Sequence, residues 1–250
     1  MRSLRLAIGF LTVIPVASSH TGPMGPARAY FPLVGLGLGG ILAGLDLAAR
    51  QALPMPAVGA LLVAALLALT RAIHTEGFLD TCDGVLGGRD REARLEILRD
   101  SRVGAFAVVG GACLVLLKWT LLLGIPDAER TSLLVLFPCL SRWGMVVTMG
   151  VFPYARAQGL GTAFQAGASW RQLVIALGTA VLAAWLLLGS AGLVLFGGAT
   201  AAALVLGWWF KRLLGGMTGD TYGATNEVGE VVVLLLGLSV APVLVDAPFW

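Results

Sequence analysis

The chain alternates long apolar runs with short breaks that are rich in Pro, Gly or charged residues. About 20 mostly apolar residues cross a bilayer as a helix, so each run is long enough to be a membrane span. The runs are too long and too aliphatic for the strands of a membrane barrel, which alternate over about ten residues. The pattern therefore predicts an all-α, polytopic transmembrane helical bundle of about seven spans, forming a single integral membrane domain over residues 1–250. The predicted spans are approximately 29–49, 56–73, 103–125, 131–153, 171–189, 192–210 and 229–246.

Residues 1–19 form a shorter segment ahead of the first span. Two arginines, a brief apolar stretch and then Ala17-Ser18 imitate a secretory signal peptide. A polytopic protein already carries a targeting signal in its first span, however. We therefore expect a retained N-terminal entry helix, amphipathic or re-entrant, that Pro15 stops.

The composition supports a membrane protein and excludes several other classes. Of the 250 residues, 58% are hydrophobic and only 12% are charged, whereas the surface of a soluble domain carries roughly 25–35% charged residues. Disordered chains are also poorer in aliphatic residues and richer in charge. The basic residues are spread over the ends of the runs, so no nucleic-acid partner is expected. The three cysteines form no C-x-x-C pair, which argues against a disulfide framework or a zinc cluster.

The distribution of basic residues gives the spans an orientation. If the N-terminus is cytosolic, 13 of the 17 Lys and Arg residues lie on the cytosolic side and two on the other. This is the bias that the positive-inside rule requires. Segments 74–102 and 211–228 then become cytosolic loops, and they contain most of the residues that are capable of chemistry.

Three carboxylates follow the second span at helical spacing. Glu76, Asp80 and Asp83 stand at i, i+4 and i+7, which places them on one face of a helix. Like charges one turn apart repel each other, and residues 76–88 contain no Lys or Arg to separate them. A solvated acidic face is the alternative, although such a face is normally interleaved with basic residues. The pattern favours a site for a divalent cation, and oxygen ligands alone favour Mg²⁺ or Mn²⁺ over zinc.

A second charged segment precedes the third span. Glu92, Glu96 and Asp100 repeat at i, i+4 and i+8, which predicts a cytosolic amphipathic helix. Most of it is typical of a surface helix with internal salt bridges. Asp100 lies at the mouth of the next span and could complete the metal site, and the neighbouring Arg102 could hold a phosphate by paired hydrogen bonds.

The third candidate segment, 211–230, combines glycines, hydroxyls and a Lys-Arg pair, which suits a polyanionic ligand. A plain loop is the alternative, because Thr225 with a nearby Glu is also how a helix begins. The candidate substrate-binding residues of the last two segments are Arg99, Arg102, Lys211, Arg212, Gly219, Asp220, Thr221, Asn226 and Glu227.

Carboxylates, a hard cation and basic phosphate ligands, without an obvious activated Ser or Cys, are typical of phosphoryl or nucleotidyl transfer. The membrane location suggests that a substrate or product is amphiphilic. The residues alone do not name it.

Four patches of the sequence, taken in order, resemble the cobalamin synthase family, the adenosylcobinamide-GDP ribazoletransferases. They are the acidic motif at 76–84, residues 95–104, the Gly-rich residues 215–224 and the opening at 10–16. Together they cover about a quarter of the chain, and the remainder matches only as apolar spans.

This resemblance implies a multi-pass enzyme of the prokaryotic cytoplasmic (inner) membrane, with its N-terminus and active-site loops in the cytosol. It implies the late step of coenzyme B12 biosynthesis, in which α-ribazole or its 5′-phosphate is joined to adenosylcobinamide-GDP and GMP is released, with Mg²⁺ required. Displacement at the corrinoid-side phosphorus by the ribazole 5′-hydroxyl would fit. The implied partners are these substrates and the lipid bilayer, and a homo-oligomer is left open.

Carried over position by position, the resemblance implies that Glu76, Asp80, Asp83 and Asp100 form the catalytic, metal-binding centre. Glu76 stands where Asp is expected in many relatives, which keeps a carboxylate but extends its reach by one methylene. The choice of general base among the four is left open.

Two other functions share parts of this pattern. Asp80-x-x-Asp83-Gly84 also opens the signature of the CDP-alcohol phosphotransferases, but the compact Asp-Gly-x-x-Ala-Arg continuation is absent. A divalent-cation transporter would carry carboxylates within its spans. In this chain we expect only Asp46, near a span end, as such a residue. Lys118 and Arg142 also fall inside spans and could either pair with carboxylates or extend to the interface.

Overall fold

The computed structural model describes residues 2–16, 23–156 and 159–245, and it confirms an all-α fold in that part of the chain. A short 3₁₀ helix, Gly25–Tyr30, leads directly into the second α-helix. The α-helices are α1 Arg2–Leu11, α2 Phe31–Ala49, α3 Met55–Leu69, α4 Ile73–Gly87, α5 Arg91–Ile97, α6 Ala105–Gly124, α7 Asp127–Val151, α8 Leu160–Gln165, α9 Trp170–Leu214 and α10 Gly219–Val245.

Five of the described helices are long and apolar enough to cross a membrane, or six if the bent pair α3–α4 counts as one span. The protein is therefore a multi-pass membrane protein. The count is below the seven predicted spans for two reasons, which lie in α9 and in α3–α4.

The 45-residue helix α9 doubles back on itself. A straight helix of that length would measure about 68 Å, roughly twice the hydrocarbon thickness of a bilayer. Gly189 has a non-helical backbone, with φ 54° and ψ −131°. A Cβ atom on Gly192 would lie 1.9 Å from the carbonyl oxygen of Ala184, which a continuous helix would hold two turns away. The two limbs of α9 correspond to the predicted spans 171–189 and 192–210.

The predicted span 56–73 is interrupted before its end. Helix α3 stops at Leu69, and α4 continues at 92° to it. Arg71 and Ala72 make the corner in the left-handed region, with φ 54° and 52°, a conformation that costs roughly 1–2 kcal/mol for each non-glycine residue. The bend turns the acidic motif away from the direction of α3 and towards α10.

Helix α7 forms the centre of the bundle. In α7, 83% of an 18-residue apolar stretch is buried, against 28% of the corresponding stretches of α6 and α9. Helices α2, α9 and α10 pack around it. Gly35 and Gly39 allow the closest of these approaches, because a Cβ on either residue would lie 2.3–2.4 Å from a backbone oxygen of α7.

The segment 211–228, predicted as a loop, is mostly helical. Helix α9 continues to Leu214, and α10 begins only a few residues later at Gly219. The Thr221 hydroxyl accepts from the Thr218 N–H at 2.7 Å, and the Thr218 hydroxyl accepts from the Thr221 N–H at 3.2 Å. These reciprocal bonds start α10 ten residues before the predicted span at 229, so the turn spans only residues 215–218.

The predicted entry segment is a ten-residue helix with one buried face, formed by Leu6, Ala7 and Leu11. The following residues are fixed to the end of α3, since the Val13 N–H donates to the Leu69 carbonyl at 2.8 Å. The Ala17-Ser18 feature of the signal-like pattern, and residue 246 of the last predicted span, lie outside the described residues.

Candidate active site

The candidate site forms where α4 crosses α10. A Cβ atom on Gly77 would lie 2.8 Å from the Asp220 carbonyl oxygen, and one on Gly223 would lie 2.8 Å from the His74 carbonyl oxygen. Only glycine permits this separation of the two backbones. The close crossing brings the acidic motif of α4 beside the first turn of α10.

A cavity of about 280 Å³ opens at this crossing. Three carboxylates line it: Glu76 and Asp80 from α4, and Asp220 from α10. The structure thus brings together two residues of the predicted acidic centre and one predicted substrate-binding residue. The other lining residues are Phe10, Ile73, His74, Gly77, Met145, Met149, Gly161, Phe164, Gly219, Tyr222 and Gly223.

The charge of the cavity is predominantly negative. The carboxylate of Asp80 is close enough to those of Asp220 and Glu76 to be repelled by them. Arg156 compensates part of this charge, because its Nη2 donates to Asp220 Oδ2 at 3.0 Å and to the Leu98 carbonyl at 3.2 Å. With three carboxylates and one arginine among the described residues, the cavity keeps a net negative charge that a bound cation could neutralise.

Oxygen ligands of this kind suit Mg²⁺. Over residues 2–16, 23–156 and 159–245, no three His, Cys, Asp or Glu side chains lie close enough together to hold a metal ion by themselves. Mg²⁺ commonly uses only one or two carboxylates, with waters and substrate phosphates completing its octahedron. One or two of the carboxylates Glu76, Asp80 and Asp220 therefore fit a magnesium site that waters and a phosphate-bearing substrate would complete.

Asp83, the third carboxylate of the acidic motif, has a different set of contacts. Its Oδ2 accepts from the Gly104 N–H at 2.7 Å and its Oδ1 from the Ala107 N–H at 2.9 Å. These N–H groups belong to the first turn of α6, which has no partner for them within the helix. Asp83 thus caps α6 and ties it to α4.

Asp100 lies in the α5–α6 link and pairs with its neighbour Arg102. The Arg102 Nη2 donates to Asp100 Oδ2 at 2.6 Å, and its backbone N–H donates to Oδ1 at 3.0 Å. These donors lower the pKa of Asp100 to about 2. Neither residue lines the cavity formed by Glu76, Asp80 and Asp220.

Four charged side chains form a buried network inside the bundle. Lys118 of α6 donates to Glu227 and Glu230 of α10, and Arg142 of α7 also donates to Glu230. This pairing explains why Lys118 and Arg142 occur inside spans. The expectation that only Asp46 would be an acidic residue within a span is wrong, because Glu230 already falls inside the predicted span 229–246 and the early start of α10 adds Glu227.

The network also includes Asn226, a predicted substrate ligand, and Thr75 of α4. Asn226 Nδ2 donates to Glu230 Oε1 at 3.1 Å, and the Thr75 hydroxyl donates to Glu227 Oε1 at 3.0 Å. Asn226 and Glu227, predicted as substrate ligands, are thus placed in the core rather than in the cavity. Thr75 links this core to α4, one residue before Glu76.

His74 lies between the network and the cavity. It is 3% exposed, and neither ring nitrogen has a hydrogen-bond partner among the described residues. Burial of an unpaired polar group is costly. Because His74 lines the cavity, a ligand there is in a position to supply the missing hydrogen bond.

The remaining predicted substrate ligands are dispersed. Lys211 and Arg212 are exposed at the end of α9, where Arg212 lies over the Trp208 ring at 4.3 Å. Arg99 is exposed in the α5–α6 link. Thr221 caps α10 as described above, whereas Gly219 does line the cavity.

Sequence reasoning missed several residues of the cavity wall. Phe10 and Phe164 contact each other with ring centroids 4.6 Å apart, and Tyr222 stacks on Tyr154 at 6.3 Å. Arg156 was also missed. It reaches Asp220 because a short backbone pairing joins the segment just before Arg156 to the segment just before α10. In this pairing the Ala155 N–H donates to the Met217 carbonyl at 2.7 Å. No local spacing in the sequence indicates these long-range contacts.

Comparison with known proteins assigns the chain to a family. A family model described as cobalamin-5-phosphate synthase matches residues 3–238. A protein of Geotalea daltonii named adenosylcobinamide-GDP ribazoletransferase is 37% identical over 238 residues, covering 94% of this chain and 96% of the relative. Proteins of the same name from Desulforamulus reducens and Roseiflexus sp. are 38% and 40% identical, covering 94% and 91% of this chain and 95% and 86% of their own lengths. No solved structure matches. The resemblance seen in the sequence motifs is thereby confirmed, and the chain belongs to the cobalamin-5-phosphate synthase family.

Proposed function

We propose that this protein is a Mg²⁺-dependent adenosylcobinamide-GDP ribazoletransferase. It joins α-ribazole, or its 5′-phosphate, to adenosylcobinamide-GDP and releases GMP. The family and the names of the relatives support the overall reaction. The observation that carries the site assignment is the convergence of Glu76, Asp80 and Asp220 on one cavity.

The family description supports a nucleophile other than the 5′-hydroxyl considered above. A cobalamin 5-phosphate product retains the 5′-phosphate of the acceptor. The attacking group is therefore a ring hydroxyl of the ribose and not the 5′-hydroxyl. Its oxygen bonds to the corrinoid-side phosphorus, the bond from that phosphorus to the GMP oxygen breaks, and the hydroxyl proton passes to a base.

The carboxylates and Arg156 organise this step. One or two of Glu76, Asp80 and Asp220 would hold Mg²⁺, which when bound would neutralise the charge of the diphosphate and of the departing GMP. Arg156 fixes the orientation of Asp220 through its 3.0 Å hydrogen bond. A carboxylate of this cavity also accepts the proton of the ribose hydroxyl, which must come within about 3 Å of it.

The apolar part of the lining suits a flat aromatic base. Phe10, Phe164 and Tyr222 supply ring faces and edges, and Met145 and Met149 supply adaptable thioethers. The benzimidazole of α-ribazole has this shape and polarity. The cavity volume of about 280 Å³ accommodates a nucleoside but not a corrin ring, so the corrinoid would remain at the mouth.

We also propose that the site end of the bundle is cytosolic. The corner at Arg71, the short helix α5 and the turn at 215–218 all lie at that end, and most of the basic residues accompany them. The positive-inside rule supports this orientation.

The experiment is product formation by the purified protein in liposomes. Adenosylcobinamide-GDP, α-ribazole and Mg²⁺ should yield GMP and a corrinoid product in equal amounts, and EDTA should abolish both. A preparation that yields no corrinoid product but consumes a CDP-linked lipid with an alcohol acceptor would overturn the assignment. Activity that survives EDTA would overturn only the magnesium proposal.

A further inference from the structure

A second cavity, of about 340 Å³, lies beside the first. Met149 lines both cavities, so the two cavities are neighbours. The inner end of the second cavity is formed by buried residues of the 3₁₀ helix and α7. Its outer end is formed by exposed residues at the start of α9. The lining residues are Arg28, Val146, Met149, Gly150, Gln165, Ala168, Ser169, Trp170 and Leu173.

Arg28 is the charged residue of this lining. It is only 6% exposed, and its Nη1 donates to the Met149 carbonyl at 3.1 Å. Its Nε has no hydrogen-bond partner among the described residues. No Asp or Glu among the described residues pairs with Arg28, and burial of an arginine without such a partner is costly, so its position favours an anionic ligand.

The backbone holds Arg28 in this place. The Gly25 N–H donates to the Ala166 carbonyl at 3.0 Å, and a Cβ on Gly25 would lie 2.5 Å from that oxygen. The 3₁₀ helix is thus seated against the α8–α9 link. Arg28, one turn later, is directed inward beneath the start of α9.

The surroundings favour an anion as well. The lining contains no Asp or Glu, in contrast to the acidic cavity on the other side of Met149. Ser169 and Trp170 place the N-terminus of α9, with the positive end of its dipole, at the mouth. Arginine is the side chain best suited to phosphate, because its planar N–H groups match two phosphate oxygens.

We propose that this second cavity is a phosphate-binding site with Arg28 as its principal ligand. Its position next to the reaction cavity favours the 5′-phosphate of the acceptor as the source of that phosphate, and this identification rests on the proposed function. The opening beside the exposed Trp170, at the start of a membrane span, is the place where a phospholipid headgroup would supply the same chemistry.

The first arm of the test compares the two acceptors. The ratio of kcat/KM for α-ribazole 5′-phosphate to that for α-ribazole should fall about tenfold or more in Arg28→Gln, mainly through KM, since a charge-assisted hydrogen bond is lost. Arg28→Lys should retain part of the preference. Arg171→Gln, the same substitution at an exposed neighbouring arginine, should leave the ratio unchanged.

A second variant closes the cavity without touching Arg28. Gly150 lines the cavity, and a Cβ there would meet only a Leu173 methyl at 4.0 Å. Gly150→Leu should therefore fold and reproduce the loss of preference. This outcome separates a filled phosphate site from a misfolded Arg28 variant.

The second arm tests the lipid source and does not depend on activity. Native mass spectrometry after delipidation should show whether a phospholipid that stays bound to wild type is lost from Arg28→Gln. Inorganic phosphate should raise the Tm of wild type more than chloride does at equal ionic strength. Loss of lipid without a change in acceptor ratio assigns the site to a headgroup. Failure of wild type to use either acceptor would contradict the proposed function but not the phosphate site. If Arg28→Gln and Gly150→Leu leave the acceptor ratio, the retained lipid and the phosphate-dependent Tm unchanged, the proposal is overturned.

Discussion

Two carboxylates of the same motif have different surroundings. Asp80 faces the cavity with Glu76 and Asp220, whereas Asp83 accepts hydrogen bonds from the first turn of α6. The i, i+4, i+7 spacing correctly predicts a shared helical face. The spacing could not predict which groups each end of this face would contact, because Asp83 lies about 10 Å further along the helix axis than Glu76.

Asp83→Ala should lower the stability of the protein. Loss of a side-chain cap costs about 0.5–2 kcal/mol, and here two N–H groups lose their acceptor. Thermal unfolding in detergent measures this, with the exposed Asp90→Ala, which removes the single cap bond of α5, as the comparison. An Asp83 variant of wild-type stability with no activity would instead favour a direct role in catalysis.

The buried charges behave as a unit. Lys118→Met removes the basic partner of Glu227, whereas Glu230 keeps Arg142, and breaking a buried pair in this way costs about 3–5 kcal/mol of unfolding free energy. The double variant Lys118→Met/Glu227→Gln should be less destabilised than the sum of the single variants. Strictly additive losses in denaturation experiments would argue against the network.

The exposed pair Asp100–Arg102 makes a prediction about pH. The folded pKa of Asp100 is lowered to about 2 by Arg102, so the pairing is present at ordinary pH and is lost only as the pH falls through about 2. In Arg102→Gln the pKa should rise towards the usual value of about 3.9. NMR titration of labelled aspartate measures it, and Arg99→Gln should have no effect. A pKa that does not change in Arg102→Gln would refute the pairing.

Among the elements, the crossing of α4 and α10 matters most for the site. Gly77→Ala would place a methyl group 2.8 Å from the Asp220 carbonyl oxygen and 3.0 Å from its Cα, so the helices must separate. Displacement of catalytic groups by about 1 Å can cost roughly 100-fold in rate. Turnover should therefore fall at least about tenfold.

Gly40→Ala is the matched control for this variant, because a Cβ at Gly40 meets open space. It should retain wild-type turnover. Equal activities for the two variants would show that the close crossing does not position the carboxylates.

The elements differ in how well the sequence predicts them. Apolar runs correctly locate α2, α6, α7 and the two limbs of α9, because hydropathy and length decide membrane spans. The left-handed corner at Arg71 and Ala72 was missed, since nothing in those residue types favours φ above zero. The early start of α10 was missed as well, because its signal is a reciprocal pair of threonine hydrogen bonds inside a Gly-rich segment.

At the scale of the whole molecule, the two ends of the bundle have different roles. The end opposite the site is closed by a buried ion pair, in which Arg130 Nη2 donates to Asp46 Oδ1 at 2.7 Å and Nη1 donates to the Leu122 carbonyl at 2.8 Å. The site end carries the acidic cavity, Arg28 and the corner before α4. Pairwise placement of these distant segments depends on helix packing, which a single sequence does not specify.

The central claim is that the cavity formed by Glu76, Asp80 and Asp220 is the reaction centre. The most direct test is the rate of corrinoid product formation by Asp80→Asn in liposomes, compared with Glu96→Gln, which neutralises an exposed carboxylate of α5. Asp80→Asn should fold with wild-type Tm but lose at least about 100-fold in kcat, because a metal ligand or base is removed, while Glu96→Gln should match wild type. An Asp80→Asn enzyme with wild-type kcat would contradict the assignment of the reaction to this cavity.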